Sequence, residues 1–141
     1  MANGSMTIDE RDAFLTDVHV GVLAVDEPGR GPLALPIWYS YDDGVVTIGM
    51  DGDSLKARLL RAAGRATLTV QTETPPYQYL SVEGPVEILH EHRDTLAMAT
   101  RYLGAELGQW YANANPPTES TVVAVLRPEH WRTMDFAKLM A

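Results

Sequence analysis

The residues with the clearest chemical potential in this 141-residue chain lie between Ser54 and Arg65, where Lys56, Arg58, Arg61 and Arg65 stand without a single carboxylate. The chain as a whole is acidic, with 19 Asp and Glu against 11 Lys and Arg and a net charge of -8. A general affinity for nucleic acid or an anionic membrane is therefore disfavoured, and any anion must be gripped locally. Leu55, Leu59, Leu60 and Ala63 recur at helical spacing until Gly64, which predicts a short helix with Ser54 at its N-cap. Lys56 then falls in the first turn, where a cation opposes the helix dipole by roughly 0.3 to 1 kcal/mol. Two arrangements compensate for this. One is a bound phosphate taking the free N–H groups of the helix start, the Ser54 hydroxyl and the Lys56 ammonium. The other is a solvated outer face of Lys56, Arg58 and Arg61, balanced by Asp51 and Asp53. Arg65, at the start of the next strand, reads as structural.

A second stretch, Pro36-Ile37-Trp38-Tyr39-Ser40-Tyr41, is followed on the next predicted strand by Thr47-Ile48-Gly49-Met50. Aromatic rings beside a glycine on neighbouring strands can form a wall and a backbone ledge for a flat heterocycle. Alternatively, Trp38 is a core residue and the tyrosines form a half-exposed face. Other chemistry is sparse. The chain has no cysteine, which removes thiolate nucleophiles, thiolate metal sites and disulfides. It has no nucleophile elbow, phosphate-binding Walker loop or dinucleotide glycine motif. Of four histidines only His90 and His92 are near each other, at strand-face spacing and without a second ligand pair, so no metal site is expected.

The elements that must position these residues follow from pattern. At 45% hydrophobic residues the chain is an ordinary globular one, of single-domain length. Residues 1–6 read as a disordered start or cloning scar, with 7–141 as one domain. No apolar run is long enough for a membrane span, and Asp9, Glu10, Arg11 and Asp12 disfavour a signal peptide, so a cytoplasmic location is expected. Thr7 and Glu10 have capping-box spacing ahead of Ile8, Phe14 and Leu15, which predicts an opening helix. Strands are predicted over 18–26, 33–41 and 45–50, the last two joined by the Asp43-Gly44 turn. After the 54–63 helix come strands over 66–72 and 77–90, the latter interrupted at Gly84-Pro85. A helix over 91–113 with Leu96, Ala99, Leu103, Leu107 and Trp110 near one face precedes closing strands over 121–126 and 130–136. Six or seven strands without regular helix alternation predict a mainly β protein, an antiparallel barrel with attached helices.

Read together, Pro36-Ile37-Trp38-Tyr39, Thr47-Ile48-Gly49-Met50, Ser54-Leu55-Lys56-Ala57-Arg58 and Tyr77-Gln78-Tyr79-Leu80-Ser81-Val82-Glu83-Gly84-Pro85 resemble the pyridoxamine-phosphate-oxidase-like split-barrel flavoproteins. The likeness covers about residues 7–138 and is strongest to the small actinobacterial branch that uses FMN or the deazaflavin coenzyme factor 420. It implies an antiparallel FMN-binding split β-barrel, homodimeric, with the cofactor in a groove between subunits. It further implies the cofactor phosphate at Ser54, Lys56, Ala57 and Arg58, and the ring along Pro36, Ile37, Trp38, Ile48, Gly49 and Met50. Tyr77, Gln78 and Tyr79 would flank the substrate side. Gln78 stands where relatives often carry a basic residue, and Met134 where they carry a tryptophan. Arg58 and Arg61 could meet the polyglutamate tail of the deazaflavin, which favours that cofactor over FMN. The implied activity is hydride transfer between the cofactor and a small conjugated substrate, for which the protein needs no nucleophile. A non-catalytic barrel that binds or stores a flavin- or haem-type ligand is the alternative.

Overall fold

The computed structural model describes residues 3–91 and 94–140. Their elements run α1 (Ile8–Thr16), β1 (Gly21–Val25), β2 (Leu33–Ile37), β3 (Ser40–Asp42), β4 (Val45–Asp51), α2 (Leu55–Ala63), β5 (Arg65–Gln71), β6 (Gln78–Leu89), α3 (Thr95–Ala114), β7 (Thr121–Leu126), β8 (His130–Asp135) and a terminal 3-10 turn (Phe136–Leu139). All strand pairs are antiparallel, in the order β2-β1-β5-β6-β7-β4-β3, with β8 also on β6. β2, β3 and β8 each pair with one other strand only and are the edges of the sheet. This is an antiparallel split barrel, the fold class that the sequence predicts.

Local signals account for most element ends. The Thr7 hydroxyl accepts from the Glu10 N–H at 3.1 Å while the Glu10 carboxylate accepts from the Thr7 N–H at 2.8 Å, the reciprocal capping box. Ser54 caps α2, and Gly64 ends it in the left-handed region at φ 70°. Asp43 (φ 52°) and Gly44 (φ 74°) turn β3 into β4 with the left-handed pair that tight hairpins require.

Three expectations are corrected. The predicted strand over 33–41 is broken at Trp38-Tyr39, which form a corner between β2 and β3. Tyr39 turns inward, is fully buried and donates from its hydroxyl to the Leu15 carbonyl at 2.7 Å. The strand over 77–90 is not interrupted at Gly84-Pro85. It changes neighbours there: residues up to Pro85 pair with β5 and those from Val86 pair with β7, while 78–83 also pair with β8. Finally, α3 is broken at Gly104 (φ 84°, ψ 173°), a conformation that only glycine adopts easily. Leu96, Leu107 and Trp110, expected near one face of the helix, are exposed, as is Ile8 of α1. Side chains hold α3 instead. Arg101 donates to the Thr16 and Asp17 carbonyls, and the Tyr102 hydroxyl donates to the His19 carbonyl at 2.7 Å while accepting from the Tyr39 N–H at 3.1 Å.

The core lies inside the bent sheet, closed by α1 and α2. Leu23, Leu68, Leu80, Val82, Val122 and Leu126 from successive strands meet Leu15 of α1 and Leu60 of α2, all almost fully buried. Each such side chain contributes about 1.5 to 3 kcal/mol by leaving water. The described part of the 1–6 segment lies along β8, where the Gly4 carbonyl accepts from the Asp135 N–H at 2.6 Å and the Met6 N–H donates to the Thr133 hydroxyl at 2.9 Å. Among the described residues no helix is long and apolar enough to cross a membrane.

Candidate functional site

Segments of three strands, β2, β4 and β7, and the start of α2 converge on one cleft of about 710 Å3, a size that suits one cofactor-sized ligand. Ile48, Gly49 and Met50 of β4 and Thr121, Val122 and Val123 of β7 form one wall. They are direct register partners, Gly49 facing Val123 and Met50 facing Val122. Pro36 and Ile37 of β2, with Trp38 at the corner, form the other. Lys56 reaches in from the first turn of α2.

Gly49 is exposed, has no positive φ, and a Cβ built there would meet no atom within 4 Å. The fold itself therefore places no steric demand for glycine at this position, whereas a flat ligand lying on β4 would. Gly52 differs, because a Cβ there would press on the Ser120 carbonyl oxygen at 2.7 Å.

At the α2 start, Ala57 N–H is bonded to the Ser54 hydroxyl at 3.2 Å and Arg58 N–H to the Ser54 carbonyl at 3.1 Å, which leaves the N–H groups of Leu55 and Lys56 outside the helix ladder. The half-buried Lys56 ammonium has no ion-pair partner among the described residues, and desolvation pulls its pKa below the ordinary lysine value. Asp51 lines the same cleft but is held ionised, its pKa lowered by the Asp53 N–H and the Ser120 hydroxyl. Asp51 and Asp53 thus do not pair with Lys56.

Other expected residues sit differently. The Ser54 hydroxyl already donates to the Asp51 carbonyl at 2.7 Å and accepts from Ala57, so its evident work is to shape the helix start. Ala57 is fully buried beneath α2. Arg61 donates to the Gly52 carbonyl at 2.7 Å, while Arg58 is exposed. Arg65 pairs with Glu129 at 2.8 Å, as a structural residue would. Tyr77, Gln78 and Tyr79 are not among the residues lining the cleft. Tyr77 and Tyr79 are exposed, Tyr79 against Phe136 with ring centroids 6.4 Å apart, and the Gln78 N–H donates to the Thr72 hydroxyl at 2.9 Å. His90 is exposed, His92 lies outside the described residues, and no metal-binding group of side chains occurs among the described residues.

Sequence reading missed Val20, the β7 residues Thr121, Val122 and Val123, and the part of the site that α3 supplies. Thr95 and Met98 before the Gly104 break, Tyr111 after it, and Pro116 and Pro117 beyond it complete the lining. The two arms of α3 fold back closely, since a Cβ on Gly108 would meet the Thr100 backbone at 2.8 Å. Trp38 is stacked on Tyr102, centroids 5.0 Å apart and planes 5° from parallel, and meets Tyr111 at 5.0 Å and 52°. Trp38 is thus neither plain core nor a bare wall: one aromatic group joins α3 to the cleft. The mid-helix glycine at 104 and the Pro116-Pro117 pair were the sequence signals for this cover.

The family model described as pyridoxamine 5'-phosphate oxidase matches residues 7–135, and the chain belongs to that family. No curated protein matches the chain. Among solved structures it is similar to a conserved hypothetical protein from Mycobacterium tuberculosis, at 24% identity and TM-score 0.82 over 100% of this chain and 92% of that one. It is also similar to a protein named F420 reductase, at 26% identity and TM-score 0.63, covering 86% of this chain and 94% of the other. A FAD and heme binding protein from Mycobacterium smegmatis shares the fold at 16% identity and TM-score 0.68, with 95% of this chain and 73% of that one covered.

Proposed function

We propose that the chain binds a flavin-type redox cofactor in this cleft, either FMN or the deazaflavin coenzyme factor 420, and acts as a reductase of small conjugated molecules. The observation that carries the reading is Lys56: a half-buried cation at a helix start, without an ion-pair partner among the described residues, opening into the same cleft as Pro36, Trp38 and the Gly49 ledge. The donor set suits a phosphate group at one end and a flat ring at the other. Family membership and the neighbour named F420 reductase support the same class.

When bound, such a cofactor supplies two-electron hydride exchange. The chain's own residues bind and orient it. Lys56 and the N–H groups of Leu55 and Lys56 hold the phosphate, and the β4 backbone around Gly49 carries the ring. Arg58 is free to meet an anionic tail, which keeps factor 420 the preferred cofactor. Met98 and Tyr111 keep water from the reacting face, and the Tyr111 hydroxyl can hold the proton that a reduced conjugated substrate takes up. A second subunit closes the groove in a homodimer, to which Tyr77, Gln78 and Tyr79 bring the substrate side. Exposed apolar side chains beside the cleft, Val20, which lines it, and Val22, the register partner of Pro36, support that association. Absorbance and fluorescence titration of the purified protein with each cofactor tests the proposal; binding of neither refutes it.

A further inference from the structure

The charges facing the cleft determine what can share it with a cofactor. Among the described residues that line it, Lys56 is the sole cation, against the carboxylates of Asp51 and Asp94. One ammonium and one helix start can neutralise one phosphate. Once that is taken, the remaining described lining side chains are negative or neutral. At the α3 end the lining mixes apolar and aromatic groups, Met98, Tyr111, Pro116 and Pro117, with the uncharged polar Thr95, Asn115 and Thr118 and the carboxylate of Asp94. Asp94 is fixed there because it is the N-cap of α3, its carboxylate accepting from the Ala97 N–H at 3.0 Å.

We propose that the α3 end of the cleft is a substrate subsite for flat, conjugated molecules that carry no negative charge, and that Asp94 is the residue that turns anionic ones away. The inference rests on the cofactor reading above. It separates this chain from an enzyme acting on a phosphorylated substrate, for which a second anion site would be needed. Asp94 is exposed, so its repulsion of a like charge is strongest at low ionic strength, where it shifts affinity by about tenfold.

The test uses the full chain loaded with oxidised FMN or factor 420 and two quinones of similar shape, uncharged menadione and anionic 1,4-naphthoquinone-2-sulfonate. Binding is read from the cofactor spectrum at low ionic strength. Menadione is expected to bind at least about tenfold more tightly. In Asp94→Asn, which retains a capping side chain and removes the charge, the gap should shrink to about threefold or less. Equal affinities in the unaltered protein, tighter sulfonate binding, or binding of neither quinone overturns the proposal. A gap unchanged in Asp94→Asn overturns the role of Asp94. Failure to load either cofactor is seen before any quinone is added, and it defeats the cofactor reading and this inference together.

Discussion

Replacing Gly49 by valine separates what the fold needs from what a ligand needs. A glycine inside a strand costs roughly 0.5 to 1 kcal/mol relative to alanine, because the unfolded chain gains freedom and no side chain packs. Here that cost has no counterpart in the protein's own packing, since a Cβ on Gly49 meets nothing within 4 Å and the backbone is not left-handed. Valine also suits a strand. The variant should therefore gain about 0.5 to 1 kcal/mol, visible as a rise in Tm of roughly 2 to 5 °C for a chain of this size. The added isopropyl group, however, occupies the ledge on which a ring would lie. Overfilling a packed site costs about 1 to 3 kcal/mol, so the Kd for FMN or factor 420 should rise by roughly 5- to 150-fold. Differential scanning fluorimetry and fluorescence titration give the two numbers. An unchanged Kd would refute the placement of the ring on β4, and a fall in Tm would show that packing required the glycine after all.

Lys56→Ala should weaken cofactor binding by about 1.5 to 3 kcal/mol, the scale of a charged hydrogen bond, with the fold intact by circular dichroism. Because desolvation lowers the Lys56 pKa, the unaltered protein should lose cofactor affinity as pH rises through a value below the usual 10.5; a flat titration up to that value would contradict the assignment. Gly84→Ala should prevent stable folding, since the new Cβ collides with the Arg127 carbonyl oxygen, an atom of the backbone that cannot step aside; soluble expression with an ordinary melting curve would disprove this. The Glu10 carboxylate, bonded to Lys138 at 2.6 Å, should titrate near pH 2 by NMR. Its folded pKa is depressed, so the tie it makes is fully present above the unfolded value of 4.5 and is lost as pH falls through about 2. Lys138→Ala should move the midpoint back toward 4.5.

What the sequence makes legible is what a few neighbouring residues decide. The Thr7–Glu10 box, the Ser54 and Gly64 caps and the Asp43-Gly44 turn each satisfy local hydrogen-bonding or φ requirements, and all are found where the pattern puts them. The aromatic segment at Pro36, the Gly49 strand and the Lys56 helix start, singled out from sequence, line one cleft, but its β7 wall, Thr121 to Val123, carried no such signal. The remainder depends on partners distant in sequence. Nothing near Tyr39 announces that its hydroxyl will reach Leu15, which is what bends the chain between β2 and β3. The period of Leu96, Leu107 and Trp110 is helical, yet periodicity cannot tell a face that packs within the chain from one that does not, and these side chains are exposed. Tyr111 and Met98 reach the cleft only because the chain doubles back at Gly104, a long-range result of one backbone conformation.

β6 has a consequence for how wide the cleft can open. It is the strand through which β2-β1-β5 and β7-β4-β3 are joined by backbone hydrogen bonds, and it passes from one set to the other at Gly84 and Pro85. One jaw of the cleft, at Pro36, belongs to the first set, and the other, at Gly49 and Val123, to the second. Backbone hydrogen bonds thus join the jaws through β6, where Gly84 is clamped against Arg127, and the chain joins them a second time at the Trp38-Tyr39 corner between β2 and β3. The mouth is therefore tied at two points, one within the lining at Trp38 and one outside it at Gly84.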